Sequence, residues 1–173
     1  AMNDTERASQ GVNRGPASFG YVSQADVDKI EGVSGIRTVR PAVALSAEWV
    51  EYDGKGKCMV DVAADAGELD ADLAAGKQLN DASSAGNQVL LPTNYLKNLG
   101  LGSAKAAVGK QLTIAVDDYQ GTEHTLTATV AGVQNESLFG GGAGANATLT
   151  DAMQAAQETG KPSSIATSYA SAT

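Results

Sequence analysis

The sequence predicts an α+β chain whose architecture is set by antiparallel hairpins rather than βαβ units. Three observations carry that expectation. Apolar and polar residues alternate with period two on both sides of two turns, Asp53-Gly54-Lys55-Gly56 and Asp117–Thr122. Helical periodicity is confined to short segments, and no repeat or heptad is present. A length of 173 residues suits one ordinary domain or two small lobes.

The elements follow in order. Residues 3–20 read as a polar loop, with a short strand near Phe19-Tyr21-Val22. Ser23 and Asp26 form a capping box that opens a helix over 24–31, with Val27 and Ile30 facing inward. Gly32 is expected to stop it in the left-handed conformation. A strand then carries Ile36, Val39, Val43, Leu45, Ala47 and Trp49, and Pro41 marks an edge or kink because it lacks an N–H. Beyond the first turn, Cys58, Val60, Val62 and Ala64 share one face. Leu69 and Leu73 at i, i+4 predict a weak helix over 68–75, closed by Gly76. Val89-Leu90-Leu91 is a short apolar strand, and Thr93 caps a helix bearing Leu96 and Leu99 that ends at Gly100. Leu112, Ile114 and Val116, then Leu126, Ala128 and Val130, are the inward positions of a second hairpin. Gly140–Gly144 reads as a mobile connector. Thr150 caps a helix to about 158 that buries Met153 and Ala156, and Ile165–Tyr169 forms a last strand. The core expected from alternation is Val43, Leu45, Val60, Val62, Leu112, Ile114, Leu126 and Val130.

Composition narrows function. Twenty acidic against 12 basic residues give a net charge of −8, which opposes nucleic-acid binding. The chain has one Cys and one His, so it forms no internal disulfide, zinc cluster or two-His metal site. No run of 18 apolar residues is present to span a bilayer. Ala1-Met2 and the run 170–173 read as the ends of a segment cut from something longer.

The local constellations are weak. Asp61, Asp65, Glu68, Asp70 and Asp72 lack calcium-loop spacing and read as a solvated acidic face. Gly140-Gly141-Gly142-Ala143-Gly144 lacks the Lys and Ser/Thr of a phosphate loop. With Leu138 and Phe139 as exposed anchors it forms instead a candidate hinge or partner contact, comprising Leu138, Phe139, Gly140, Gly141, Gly142 and Gly144. His124 and Glu123 point to opposite sides of a strand and make no acid–base couple. Cys58 reads as a small core residue, with a Cys58–His124 hydrolase dyad as the catalytic alternative. Trp49 caps a small core. The sequons at Asn135 and Asn146 carry no weight. No catalytic, metal or cofactor site is expected.

The order of segments is more specific than any one of them. Val27-Asp28-Lys29-Ile30, Gly32-Val33 and Ile36-Arg37-Thr38-Val39-Arg40-Pro41 come first. Leu73-Ala74-Ala75-Gly76-Lys77-Gln78-Leu79 follows, then Val89-Leu90-Leu91-Pro92 with Tyr95-Leu96-Lys97-Asn98-Leu99-Gly100. Val108–Ile114 and Thr129-Val130-Ala131-Gly132-Val133 close the series. Over about 24–135 this resembles the periplasmic core domain of MacB-like, FtsX-type ABC transporter permeases, with Lys77 where Arg is usual and Tyr95 where Ala is usual. The resemblance implies two lobes: a porter-like α/β lobe from both chain ends (1–53 and 136–173) and an inserted, mostly β lobe with short helices (54–135). It implies a non-catalytic domain on the extracellular or periplasmic side of a membrane protein, between the first two of four spanning helices. The implied partners are a cytoplasmic ATPase, a second permease copy, and a peptide, drug or lipoprotein substrate. A free-standing extracellular binding or adhesion module is the alternative from another class.

Overall fold

The computed structural model describes residues 22–34, 41–42, 44–65, 70–136, 142–164, 168–169 and 171–172. The expectations for Tyr21, Ile36, Val39, Val43, Glu68, Leu69, Leu138, Phe139, Gly140, Gly141 and Ile165 lie outside those residues. The chain is α+β, with one large sheet and few helices.

The first elements are strand β1 (Val22–Ser23) and helix α1 (Gln24–Glu31). The capping box forms as expected. Asp26 N donates to Ser23 Oγ at 3.3 Å, and Ser23 N donates to the Asp26 carboxylate at 3.1 Å. The bonds from Ser23 hold the Asp26 carboxyl below the usual aspartate range. Val27 is buried, whereas Ile30 is 37% exposed rather than inward. Gly32 takes φ −72°, so the helix ends without a left-handed residue. Its N–H reaches back to Asp28 O, which right-handed geometry already permits.

Strand β2 (Pro41–Ala42) precedes the large sheet, whose strands are β3 (Trp49–Glu51), β4 (Lys57–Cys58), β5 (Val62–Ala64), β6 (Leu73–Gly76), β7 (Gln88–Pro92), β8 (Gln111–Asp117), β9 (Glu123–Gln134) and β10 (Ala143–Ala145). The order is β4-β3-β8-β9-β7-β10-β5, with β6 also on β9. The β3–β4 and β8–β9 pairs are the two expected hairpins, and β8–β9 has the register that alternation dictates, but in β3 it is Val50 that is buried, while Trp49, expected to face inward and cap the core, is partly exposed. The first turn has positive φ at Asp53 and Gly54, matching the right-handed twist of its strands. β7 runs parallel to β9, and β5 parallel to β10.

This order forces curvature. β4 and β5 are the two ends of the path, yet only Met59, Val60 and Asp61 join them. Four residue steps span at most about 14 Å. Six strand spacings in a flat sheet would span about 29 Å. The sheet is therefore rolled until its edges approach, with Val60 buried at the corner.

Helix α2 (Ala104–Ala107) follows an N-cap at Ser103, and helix α3 (Ala147–Gln157) contacts β5, β7, β8, β9 and β10. Leu149 and Met153 of α3 are fully buried and join Val50, Leu91, Leu99, Leu112, Ile114 and Val130 in one core. Of the expected core, Val60, Val62, Leu112, Ile114 and Val130 are buried, while Leu45 and Leu126 pack against the core partly exposed. Last come β11 (Ser168–Tyr169), paired with β1, and β12 (Ser171–Ala172), paired with β2.

Three further expectations change. Leu73–Gly76 is a strand rather than the end of a helix, because β9 is long enough to offer it a partner. Thr93–Tyr95 is a 3-10 turn without a side-chain cap. Leu96 and Leu99 are nonetheless buried, and Gly100 closes the segment at φ +68°. The last helix is capped by Asn146, four residues before Thr150. Trp49–Glu51 and Ala143–Ala145, which the resemblance would place in the end-built lobe, lie in one sheet with strands of 54–135.

Leu91 lies in mid-sheet with no exposed surface. Truncation to Ala is expected to cost about 2–5 kcal/mol, through lost transfer energy plus an unrelaxed cavity. Urea unfolding measures it, and a loss below about 1 kcal/mol would show that the site collapses around the smaller side chain.

Candidate functional site

The candidate hinge or partner contact is described in part. Of its residues, Gly142 and Gly144 are described, and both belong to the sheet or its edge. β10 lies between β7 and β5, with Ala143 and Ala145 buried. Ala143 N donates to Asp61 O at 2.7 Å, and Asp65 N donates to Ala145 O at 2.9 Å. A Cβ on Gly142 would lie 2.9 Å from Asp61 O. This part of the glycine-rich segment is a strand and its edge, in close backbone contact with its neighbours. Its small residues let β5 and β7 approach from both sides.

Next to β10 is the most connected side chain of the described structure. Asn146 has no exposed surface. Its Oδ1 accepts from Leu149 N at 3.0 Å and Gln88 N at 2.9 Å. Its Nδ2 donates to Asn80 O and Gly86 O, both at 2.8 Å. Asp81 Oδ1 accepts from Ala147 N at 2.8 Å. The start of α3, where an anion would be drawn, is thus already served by the protein's own groups. The sequon at Asn146 is a structural node with no amide free for modification.

The tip of the β8–β9 hairpin holds the one acid–imidazole pair described. Asp118, with 6% of its side chain exposed, accepts from Gln120 N and Thr122 N through Oδ1 at 2.8 Å each. Its Oδ2 is 2.9 Å from His124 Nε2. The bond from His124, then those from the Thr122 and Gln120 amides, hold the Asp118 carboxyl below the usual range, against an upward push from burial. The partner of His124 is thus Asp118, across the turn, and not its neighbour Glu123. A six-residue separation across a turn is the signal that finds it. Glu123 instead accepts from Trp49 Nε1 at 2.8 Å, and Lys57 Nζ sits 3.8 Å from the Trp49 ring centroid.

A depressed carboxyl stabilises the fold above its unfolded-state pKa, about 4, and that contribution is lost as pH falls through the lower folded value. Asp118→Asn is therefore expected to melt below the parent at neutral pH, with the gap closing towards about pH 2. Thermal melts across that range check it; a gap independent of pH would contradict it.

The Cys–His dyad does not assemble. Cys58 shares a row with Val50, Ile114 and Leu126, while His124 lies two residues further along β9. Three strand spacings keep their backbones roughly 12 Å or more apart. Cys58 Sγ is 3.3 Å from Asn98 O, and His124 Nε2 is bonded to Asp118. Among the described residues no cluster of three or more His, Cys, Asp or Glu could hold a metal ion, and no helix is long and apolar enough to cross a membrane. Comparison with protein-family models and with curated proteins gives no match.

Proposed function

We propose that the chain is an extracytoplasmic domain of an FtsX-type ABC transporter permease. It is non-catalytic and couples ATP-driven movement of membrane helices to export or signalling outside the membrane. One observation supports this beyond the resemblance in segment order. Residues early in the chain pair with residues late in it, β1 with β11 and β2 with β12, outside the rolled sheet. A domain set between two neighbouring spanning helices must be entered and left at nearby points, and such pairing provides that. In this reading the porter-like lobe is built from both chain ends. The inserted β lobe is the rolled sheet, extended outward from 54–135 to include β3, β10 and α3. The partners are a cytoplasmic ATPase, a second permease copy and a peptide, drug or lipoprotein.

The test is the full-length gene product. Expected are spanning helices on both sides of this segment, accessibility of the segment to membrane-impermeant labels on whole cells, and co-purification with an ATPase. A full-length chain with a signal peptide, a wall anchor and no further spanning helices would replace this reading with the free-standing binding module.

A further inference from the structure

We infer that the joint between the chain-end strands and the rolled sheet lies at residues 44–48 and 157–164, and that the side-chain amide of Gln157 latches its two sides together. Among the described residues, the chain enters the sheet from β2 through 44–48 and leaves it after α3 towards β11 and β12. These two stretches join the β1–β11 and β2–β12 pairs to the sheet.

Gln157, the last residue of α3, bridges them. Its Oε1 accepts from Ser46 N at 3.0 Å, and its Nε2 donates to Ala44 O at 3.2 Å. The two bonds fall on residues i and i+2 of an extended segment. The primary amide therefore offers one acceptor and one donor to one edge, as the C=O and N–H of a single residue in a neighbouring strand do. Glu48 N continues the same edge onto the sheet by donating to Ala115 O at 2.8 Å. On the exit side, Tyr119 N at the hairpin tip donates to Thr159 O at 3.1 Å, and Gln120 packs beside Gly160. The exit is thus held to the sheet by backbone and to the entry by one side chain.

The functional consequence rests on the transporter reading. Displacement of the chain ends would enter the sheet through this joint, and the latch would make entry and exit move as one. A glutamine amide whose two bonds are both at an exposed segment is a reversible fastening, unlike the amide of Asn146, a side chain with no exposed surface.

Amide hydrogen exchange on Gln157→Ala tests the latch whether or not the transporter reading holds. Ala is the better helix former, so α3 itself is not weakened by propensity. Loss of two bonds is expected to speed exchange at Ser46 by about tenfold. Amides of Ala42, Tyr169 and Ser171 are expected to exchange faster as well, while Tyr119 and Ile114 stay protected. Gln157→Glu keeps the acceptor for Ser46 N but sets a carboxylate oxygen against Ala44 O, and is expected to show the same pattern. Unchanged exchange at Ala42, Tyr169 and Ser171 would reduce Gln157 to a local contact. Equal acceleration at Tyr119 would show that it only secures the end of α3. Either result overturns the latch and leaves the transporter reading to its own test.

Discussion

Gly132→Ala is expected to destabilise the protein by about 3 kcal/mol or more, lowering its melting point by roughly 6–12 °C. Strand β6 crosses β9 where Gly76 faces Gly132. A Cβ on Gly132 would stand 2.5 Å from Lys77 O, 3.0 Å from Leu90 Cδ2 and 3.1 Å from Ala75 O. Two of those neighbours are backbone, which cannot rotate away as a side-chain end can. Relief means pushing β6 off β9, at the expense of the Lys77 N to Ala131 O bond of 3.0 Å. Gly76 has φ +86°, and a Cβ there would collide with Ala131 O and the Gly132 Cα, so the partner cannot yield either. The same sheet supplies the control. At Gly144 a Cβ would meet Leu79 Cδ1 at 3.6 Å and Leu90 Cβ at 3.7 Å, which is ordinary contact. Differential scanning calorimetry of both variants decides the matter. A Gly132→Ala protein melting within about 1 °C of the parent would mean that β6 is not held against β9 in solution.

That contrast shows where sequence was readable. Helix α1 and its capping box were legible because every group involved lies within a few residues. The β8–β9 hairpin was legible because its large apolar residues, Leu112, Ile114 and Val116 on one strand and Leu126 and Val130 on the other, recur at every second or fourth position, and hydropathy alone then fixes the register. β10 was not. Its inward residues are Ala143 and Ala145 and its one outward residue is Gly144, so a period-two strand carried no hydropathy contrast and looked like a connector. β6 failed for the opposite reason. Leu73-Ala74-Ala75 has good local helix propensity, and a strand forms only because a distant partner, residues 132–134, outweighs it. Asn146 escaped notice because a capping Asn is no different on paper from the Thr four residues later. What separates them is Gln88, Asn80 and Gly86 brought together by tertiary structure. The rolled sheet itself becomes visible only once strand order is known, since no local signal says that β4 and β5 end on opposite edges.

Asn146 is expected to be the least replaceable polar side chain among the described residues, and its aspartate variant to carry a signature in pH. Removing the amide in Asn146→Ala takes the partner from two N–H groups and two carbonyls that face the fully buried Asn146 side chain, and is expected to cost about 3–4 kcal/mol. Asn146→Asp has the same shape and still caps α3, since a carboxylate oxygen can accept from Leu149 N and Gln88 N. The other oxygen, however, replaces an NH₂ that donates to Asn80 O and Gly86 O at 2.8 Å each. The two amides and the helix dipole favour the charged form. Complete burial and two opposing carbonyls disfavour it more strongly, so the folded-state pKa of the new carboxyl rises. The sign follows. A carboxyl whose folded pKa exceeds its unfolded value penalises the fold above the unfolded pKa of about 4, and the penalty fades as pH falls towards that value. The variant is therefore expected to melt well below the parent at about pH 7 and to regain part of the difference at about pH 4.5. Recovery stays incomplete, because one protonated oxygen can donate to only one of the two carbonyls. Melts of parent, Ala and Asp variants at both pH values separate the possibilities. An Asp variant as stable as the parent at neutral pH would mean that Asn80 O and Gly86 O do not face this side chain in solution. A deficit equal at both pH values would mean that water reaches the site and screens the charge.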